Sequence, residues 1–382
     1  MQPLSKKIMR IQSKNVWLRD AFREAQIQME NGKIVNIEEY NSKEPDMDYG
    51  ECYILPGFID AHTHGHAGVD TTTADVEQMA LWQREIAKEG VTSFMATTAT
   101  ESEADNLETF RRLANAVGKN DGAEVLGIYM EGNFINPECK GAHDEKLIAK
   151  PNVEQLKKYI DASEHQIRRM ILAVELDDNF EVLKYALSQG IRVSIGHSAA
   201  PYETARKAIE LGADALTHTY NGMKPFHHRE PSLVGIAYTI DDIYTEIIGD
   251  GHHVSWPAVR ALCRAKDEKH LVLVSDASPL KGYQGQLPKG IHIDERGQFR
   301  TDSGALCSSS LRINEGIYNL IHYAGTSYIQ AINAATINPA KMLGVEDRKG
   351  SIQIGKDADF AVTDANFQMV QCYCKGKKML KE

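Results

Sequence analysis

Two histidines one residue apart, His62 and His64 in "GFIDAHTHG" (57–65), follow the apolar run "YILPGF". In an extended strand, side chains at i and i+2 leave the same face, so the pair presents two imidazoles to one point. By itself the pair reads equally as half of a metal site or as two polar residues in a loop. Other titratable residues follow short apolar segments in the same manner: Glu131 after "IYM", His197 in "VSIGHS", His218 in "ALTHTYNGM" and Asp276 in "LVLVSDAS". Each also has a plain structural reading: Glu131 as a strand-end capping acid, the two histidines as loop-bonded, Asp276 as an Asx turn or N-cap. Taken together, the imidazoles and carboxylates make a donor set that suits zinc or a similar first-row ion. Such an ion brings the pKa of water toward neutrality, and a nearby carboxylate can take the proton and later return it to a leaving amine. Asp276 fits that acid/base role, and Glu131 fits that of a ligand.

A second set suits an anion. "KGAHD" carries Lys140 and His143, "NGMKPFHHREP" carries Asn221, Gly222, His227, His228 and Arg229, and "DGHHV" carries His252 and His253. Arginine meets phosphate oxygens with paired donors, and Asn side chains and exposed Gly amides add neutral ones. The plain alternative is a solvated loop with incidental charge.

The elements that must position these residues are legible in the periodicity. Strand-like segments around 53–60, 91–98, 124–130, 169–175, 191–196, 214–217, 244–249 and 271–275 alternate with amphipathic helical stretches such as "DVEQMALWQREIAKEG", "PYETARKAIELGA" and "WPAVRALCRAKDEK". This alternation predicts βα units and a parallel sheet. Eight units in about 280 residues fit a (β/α)8 barrel, a TIM-type fold, better than an open doubly wound sheet. Nearly every strand ends in polar residues: His62 and His64, Thr97 and Thr98, Glu131, Glu175, His197, His218, Asp250 with His253, and Asp276. In a barrel these carboxyl ends surround one mouth. The flanks read differently. "KNVWLR", "QIQMENG" and "GKIVNIEEY", with a turn at Asn31-Gly32, and the last forty residues are short alternating strands, so both ends supply one small β domain. The expected division is 1–56 with 341–382 for that β-sandwich domain and 57–340 for the catalytic barrel.

Bulk properties bound the function. At 382 residues the chain affords a sizeable core, and 42% hydrophobic with 25% charged residues is ordinary for a globular protein. No apolar run approaches the roughly 20 residues needed to span a bilayer. The amino terminus has no continuous apolar stretch before a cleavage site, so a cytoplasmic location is expected. Six cysteines show no metal-knuckle spacing and read as free thiols. A net charge of −10 argues against general nucleic-acid binding and requires a local positive pocket for any anionic substrate.

The motifs "PGFIDAHTHG", "YMEGNFINPECKGAHD", "GHSAAPYETARKAIELGADALTHTYNGM", "HHREPSLVG", "DGHHV", "LVSDA" and "INPAKMLGVEDRKGSIQIGKDADFAV" together resemble the N-acetylglucosamine-6-phosphate deacetylases of the amidohydrolase superfamily, in order and spacing, from about residue 50 to 363. The resemblance implies a (β/α)8 barrel flanked by a small β domain, a homodimer, and hydrolysis of the acetamide of an amino-sugar phosphate to release acetate. It implies that Glu131, His197 and His218 are the main metal ligands and that Asp276 is the catalytic acid/base. It further implies that His143 contacts substrate and polarises the acetyl carbonyl. Asn221, Gly222, Arg229 and His253 would hold the sugar phosphate, with Arg229 and His253 reaching the neighbouring site. Some members lack the first-strand His pair and hold one divalent ion, others keep it and hold two. Zn is the first expectation, and Fe, Mn and Co suit the same ligands. "YNGM" replaces the commoner Asn-Ala-Met, and "CSSSLRIN" replaces a Gly-Ser-x-Leu-Thr-Met-like loop, so the galactosamine epimer stands as an alternative substrate. An amidohydrolase acting on an uncharged cyclic amide would make Arg229 dispensable. A catalytically dead scaffold would be expected to have lost ligands, and here each is present.

Overall fold

The computed structural model describes residues 8–380 except 120, 296, 297, 303, 305 and 307. The first seven residues and Cys307 therefore lie outside the described residues. The barrel strands run, in chain order and side by side, Phe58–Thr63, Val91–Thr97, Glu124–Met130, Ile167–Leu172, Arg192–Ile195, Ala215–Leu216, Tyr244–Ile248 and Leu271–Val274. All seven adjacent pairings are parallel. The ring closes between the last strand and the first at the mouth, where Asp276 N–H donates to the His62 carbonyl at 2.9 Å and His64 N–H to that of Ala277 at 2.8 Å. Deeper in this seam the side chain of Asp60 stands in for a strand acceptor, taking the Ser275 hydroxyl at 2.6 Å and its N–H at 3.2 Å.

The helices form where periodicity and caps agree. Val76–Ala87 begins on a capping box, with Asp75 and Gln78 exchanging side-chain-to-backbone bonds, and buries Met79, Trp82 and Ile86. Tyr202–Glu210 and Trp256–Ala265 likewise lay one apolar stripe on the barrel. The shared core between strands and helices includes Trp82, Phe94, Phe110, Tyr159 and Leu273.

The first expected strand, 53–60, is two strands. Tyr53–Pro56 pairs with Phe360–Thr363 and with Asn15 and Val16 in the terminal sheet, while Phe58–Thr63 opens the barrel. The break falls at Gly57, where a Cβ would collide with the Thr92 side chain. The fourth strand stops at Leu172, so Glu175 sits in a 3-10 turn beyond it.

The expected sandwich takes the form of one continuous eight-stranded sheet built from both ends of the chain. Its amino-terminal strands are Met9–Leu18, Ala21–Glu30, Lys33–Glu38, Met47–Asp48 and Tyr53–Pro56, and its carboxyl-terminal ones are Phe360–Thr363, Met369–Cys374 and Lys377–Lys378. It has its own core of Ile11, Ile27, Ile34, Ile54, Phe360 and Tyr373. The Asn31-Gly32 turn has φ of 52° and 76° at its two residues, the left-handed pair that suits the twist of a two-residue hairpin. No helix among the described residues is long and apolar enough to cross a membrane.

Candidate metal centre and catalytic pocket

Glu131 is the hinge of the site. It follows the third strand directly and is buried. Its backbone is held by Thr98, whose hydroxyl donates to the Glu131 carbonyl at 3.1 Å and accepts its N–H at 3.2 Å. The two carboxylate oxygens face different groups. Oε2 meets His62 Nε2 at 2.8 Å and His64 Nε2 at 3.0 Å, and Asp276 Oδ1 lies 3.2 Å from His64 Nε2 and 3.5 Å from His62 Nε2. Oε1 meets His197 Nε2 at 2.8 Å and His218 Nε2 at 3.4 Å, with His143 Nε2 at 3.7 Å.

The spacing tests whether a metal fits. Bonds of about 2.1 Å put neighbouring ligand atoms about 3.4 Å apart in a tetrahedron and about 3.0 Å apart in an octahedron. The imidazole pairs stand at 3.3 Å (His62 and His64) and 3.1 Å (His197 and His218), inside that band, and the Glu131 contacts to these four rings straddle it at 2.8 to 3.4 Å. Tautomers add a second argument. His197 Nδ1 lies 2.7 Å from the Cys139 carbonyl and His218 Nδ1 3.2 Å from that of Asn221. A carbonyl only accepts, so both Nδ1 atoms carry hydrogen and both neutral rings aim Nε2 lone pairs at one point. Two converging lone pairs beside a carboxylate need a cation between them. His62, His64, Glu131 and Asp276 lie close enough together to hold a metal ion, and Glu131 and His197 belong to a second such cluster whose third member, His143, turns an N–H to it.

The titration behaviour expresses the same crowding. Burial opposes charge on His64, yet Asp276 and Glu131 outweigh it and push the imidazole up to about 9. Burial likewise opposes ionisation of Asp276 and Glu131, and the surrounding histidines hold both carboxyls below the ordinary range.

Around this centre lies a cavity of about 620 Å³ lined by His64, Glu131, His143, His197, His218 and Asp276, with Asn221, Gly222 and His253 on one side. His143 receives the Thr100 hydroxyl at 2.8 Å and its N–H at 3.4 Å on Nδ1, so the neutral ring carries its hydrogen on Nε2, facing the site. His253 lines the wall of this cavity. Asp250 holds its Nδ1 at 2.6 Å and fixes it there. Arg229, His227 and His228 sit on the exposed loop 224–230, outside the cavity lining, with Arg229 Nη1 2.7 Å from His228 Nε2. Lys140 bonds the His143 carbonyl at 3.1 Å. Glu175 faces away from the mouth and braces the segment after His197, accepting from Asn136 at 2.8 Å and from Ser198 and Ala199 at 2.6 Å each.

Two contributors are not among the sequence candidates. Thr100 orients His143, and Glu246 lies within the seventh strand with Oε2 3.0 Å from His62 Nδ1. A single acid inside the buried run "YTEIIG" is the signal that could have drawn attention to Glu246. Thr100 has no comparable local signal.

Residues 53–379 match the amidohydrolase family. The chain is 33% identical over 376 residues to N-acetylgalactosamine-6-phosphate deacetylase of Escherichia coli O157:H7, covering 96% of this chain and 97% of that one. It is 33% identical over 368 residues to N-acetylglucosamine-6-phosphate deacetylase of Bacillus subtilis (strain 168), covering 94% and 93%. The solved N-acetylglucosamine-6-phosphate deacetylase of Thermotoga maritima superposes with a TM-score of 0.84 at 28% identity, covering 98% of this chain and 99% of that one.

Proposed function

The chain belongs to the amidohydrolase family, and on that premise we propose that it hydrolyses the acetamide of N-acetylglucosamine 6-phosphate to glucosamine 6-phosphate and acetate. The galactosamine epimer is the second reading, favoured by the Escherichia coli relative that bears that name. The observation that carries the proposal is the Glu131 carboxylate, one oxygen turned to each histidine pair above a sugar-sized cavity.

Glu131, His197 and His218 are assigned as the residues that would hold one divalent ion, and His62, His64 and Asp276, with Glu131, as those that would hold a second. Imidazole with carboxylate favours zinc, with iron, manganese and cobalt as competitors for the same donors. When bound, such an ion supplies Lewis acidity toward an amide carbonyl and makes water more acidic. Asp276 takes the proton of the attacking water and returns it to the departing amine nitrogen. His143 donates its Nε2 hydrogen to the carbonyl oxygen, where negative charge grows.

The phosphate end asks for help from outside the chain. Among the described residues the cavity wall includes Asp70, Glu101 and Asp144 and no lysine or arginine. Asn221, the Gly222 amide and His253 offer only uncharged or weakly cationic donors. Arg229, exposed on its loop, is assigned to the neighbouring site of a homodimer, where it meets the phosphate. A phosphorylated substrate also accords with a cytoplasmic location.

An acetate-release assay on protein of measured metal content, across N-acetylated hexosamines with and without 6-phosphate, tests this reading. Fast release from the gluco 6-phosphate is expected, and release only from unphosphorylated sugars or none at all would overturn it. Asp276→Asn is expected to lower turnover about 10²–10⁴-fold while the ion at Glu131, His197 and His218 is retained. Arg229→Ala is expected to raise KM for the phosphorylated sugar about 10–100-fold, the loss of one charged hydrogen bond, with little change in kcat.

A further inference from the structure

Behind the candidate ligands His62, His197 and His218, the Nδ1 atoms are supported unequally. The Nδ1 partners of His197 and His218 are backbone carbonyls, neutral and fixed by the fold. That of His62 is a carboxylate, Glu246 Oε2 at 3.0 Å. Glu246 is fully buried, and among the described residues it forms no ion pair with a lysine or arginine. Its other bonds also lead to the site: Oε2 accepts the His218 N–H at 3.1 Å, and Oε1 accepts the Tyr129 hydroxyl at 3.1 Å.

A carboxylate in a barrel interior is costly unless something there uses its charge. Three donors converge on it, the His62 ring, the His218 N–H and the Tyr129 hydroxyl, and the buried Arg169 senses its charge without a direct bond among the described residues, so of its direct partners only the His62 ring leads on to the cluster. A carboxylate behind a histidine fixes the ring as the Nδ1–H tautomer and makes Nε2 a stronger base. We propose that Glu246 is a positioning residue for the His62 side of the centre, fixing the His62 tautomer and supplying the negative charge that lets this half hold a divalent ion. The inference rests on the reading of the site as a metal centre. It also accounts for the difference between the halves: one is supported by neutral carbonyls, the other by a buried anion that contributes only when a cation lies beyond His62.

Glu246→Gln separates charge from shape. The amide oxygen can keep the His62 and His218 bonds, and the amide nitrogen can turn to Tyr129. Full-length protein loaded with Co²⁺ is challenged with a chelator, the ions retained per chain are counted, and the visible spectrum is followed. Glu246→Gln is expected to release the His62-side ion at about 10–100-fold lower chelator concentration, the usual loss when such a partner is removed. The ion at His197 and His218 should be held as in wild type. In a His62→Asn background the Glu246→Gln change is expected to have no further effect. Retention within two-fold of wild type overturns the inference, and so does an equal loss in the His62→Asn background. Should Glu246→Gln not fold, Tyr129→Phe removes one of the three bonds to the carboxylate. It is expected to weaken the same ion by a few-fold, and no change would overturn the inference. A wild-type chain that binds no Co²⁺ would instead overturn the metal reading itself, before any variant is compared.

Discussion

At Thr100, a hydroxyl and an amide converge on Nδ1 of His143 and leave the opposite nitrogen to donate into the cavity. The hydroxyl is itself oriented, since the Asn133 N–H donates to it at 3.3 Å. Thr100→Val keeps the shape and removes the closer contact, freeing the ring to adopt the other tautomer. Turnover is expected to fall about 5–10-fold, the worth of one such hydrogen bond, with KM nearly unchanged. Thr100→Ser should restore it. Steady-state kinetics of the three proteins check this, and a KM change without a kcat change would show that Thr100 serves binding instead. At this scale the sequence was informative about ligand types and poor about their supports. His62, Glu131 and Asp276 stand out after apolar runs, whereas Thr100 is one threonine among several in "ATTATE".

Strand ends shape the site at the next scale. His197, His218 and Asp276 adopt left-handed φ angles of 45°, 27° and 47° as their strands finish. Non-glycine residues take up such angles at a cost and are held there by their surroundings. Here three left-handed turns fall on candidate site residues where the chain leaves the barrel wall. Gly132 does the equivalent work after Glu131, with φ of +105° and a Cβ position 2.5 Å from the Thr100 nitrogen. Gly132→Ala must displace either the Glu131 turn or the Thr100 segment. We expect a stability loss of about 1–3 kcal/mol together with reduced metal content. Thermal unfolding and metal analysis of the purified variant check both, and a fully loaded, equally stable protein would show that the loop relaxes freely. The strands and helices were largely legible because apolar periodicity is local. The split at Gly57 was not, because it depends on the approach of Thr92 from the neighbouring strand.

Barrel and terminal sheet are joined by a buried charge cluster. Glu124 begins the third barrel strand and meets Arg348 Nη2 at 2.5 Å, Lys375 Nζ at 2.9 Å and Lys349 Nζ at 3.3 Å. Lys349 also reaches Asp359 at 2.6 Å, and Lys33 reaches Asp357 at 2.7 Å. Burial raises the Glu124 carboxyl, but Arg348, Lys349 and Lys375 outweigh it and bring it down to about 2. A carboxyl depressed on folding stabilises fully above its unfolded pKa, and this contribution is lost as pH falls through the folded one. Glu124→Gln is therefore expected to cost about 2 kcal/mol at pH 7. The difference from wild type should shrink between pH 4.5 and about 2, as denaturant unfolding at several pH values would show. A difference that stays constant with pH would place the effect in packing and not in charge. By themselves, the residue types, their order and the period of the apolar runs determined the barrel, the β-rich ends and the candidate metal-binding donors, because each is written within a few adjacent positions. Only the tertiary structure decided which donors meet. Glu131 turns one oxygen to each histidine pair, His253 lines the cavity, and Glu246 backs His62 across 184 residues of chain, because these contacts arise when the eighth strand closes on the first.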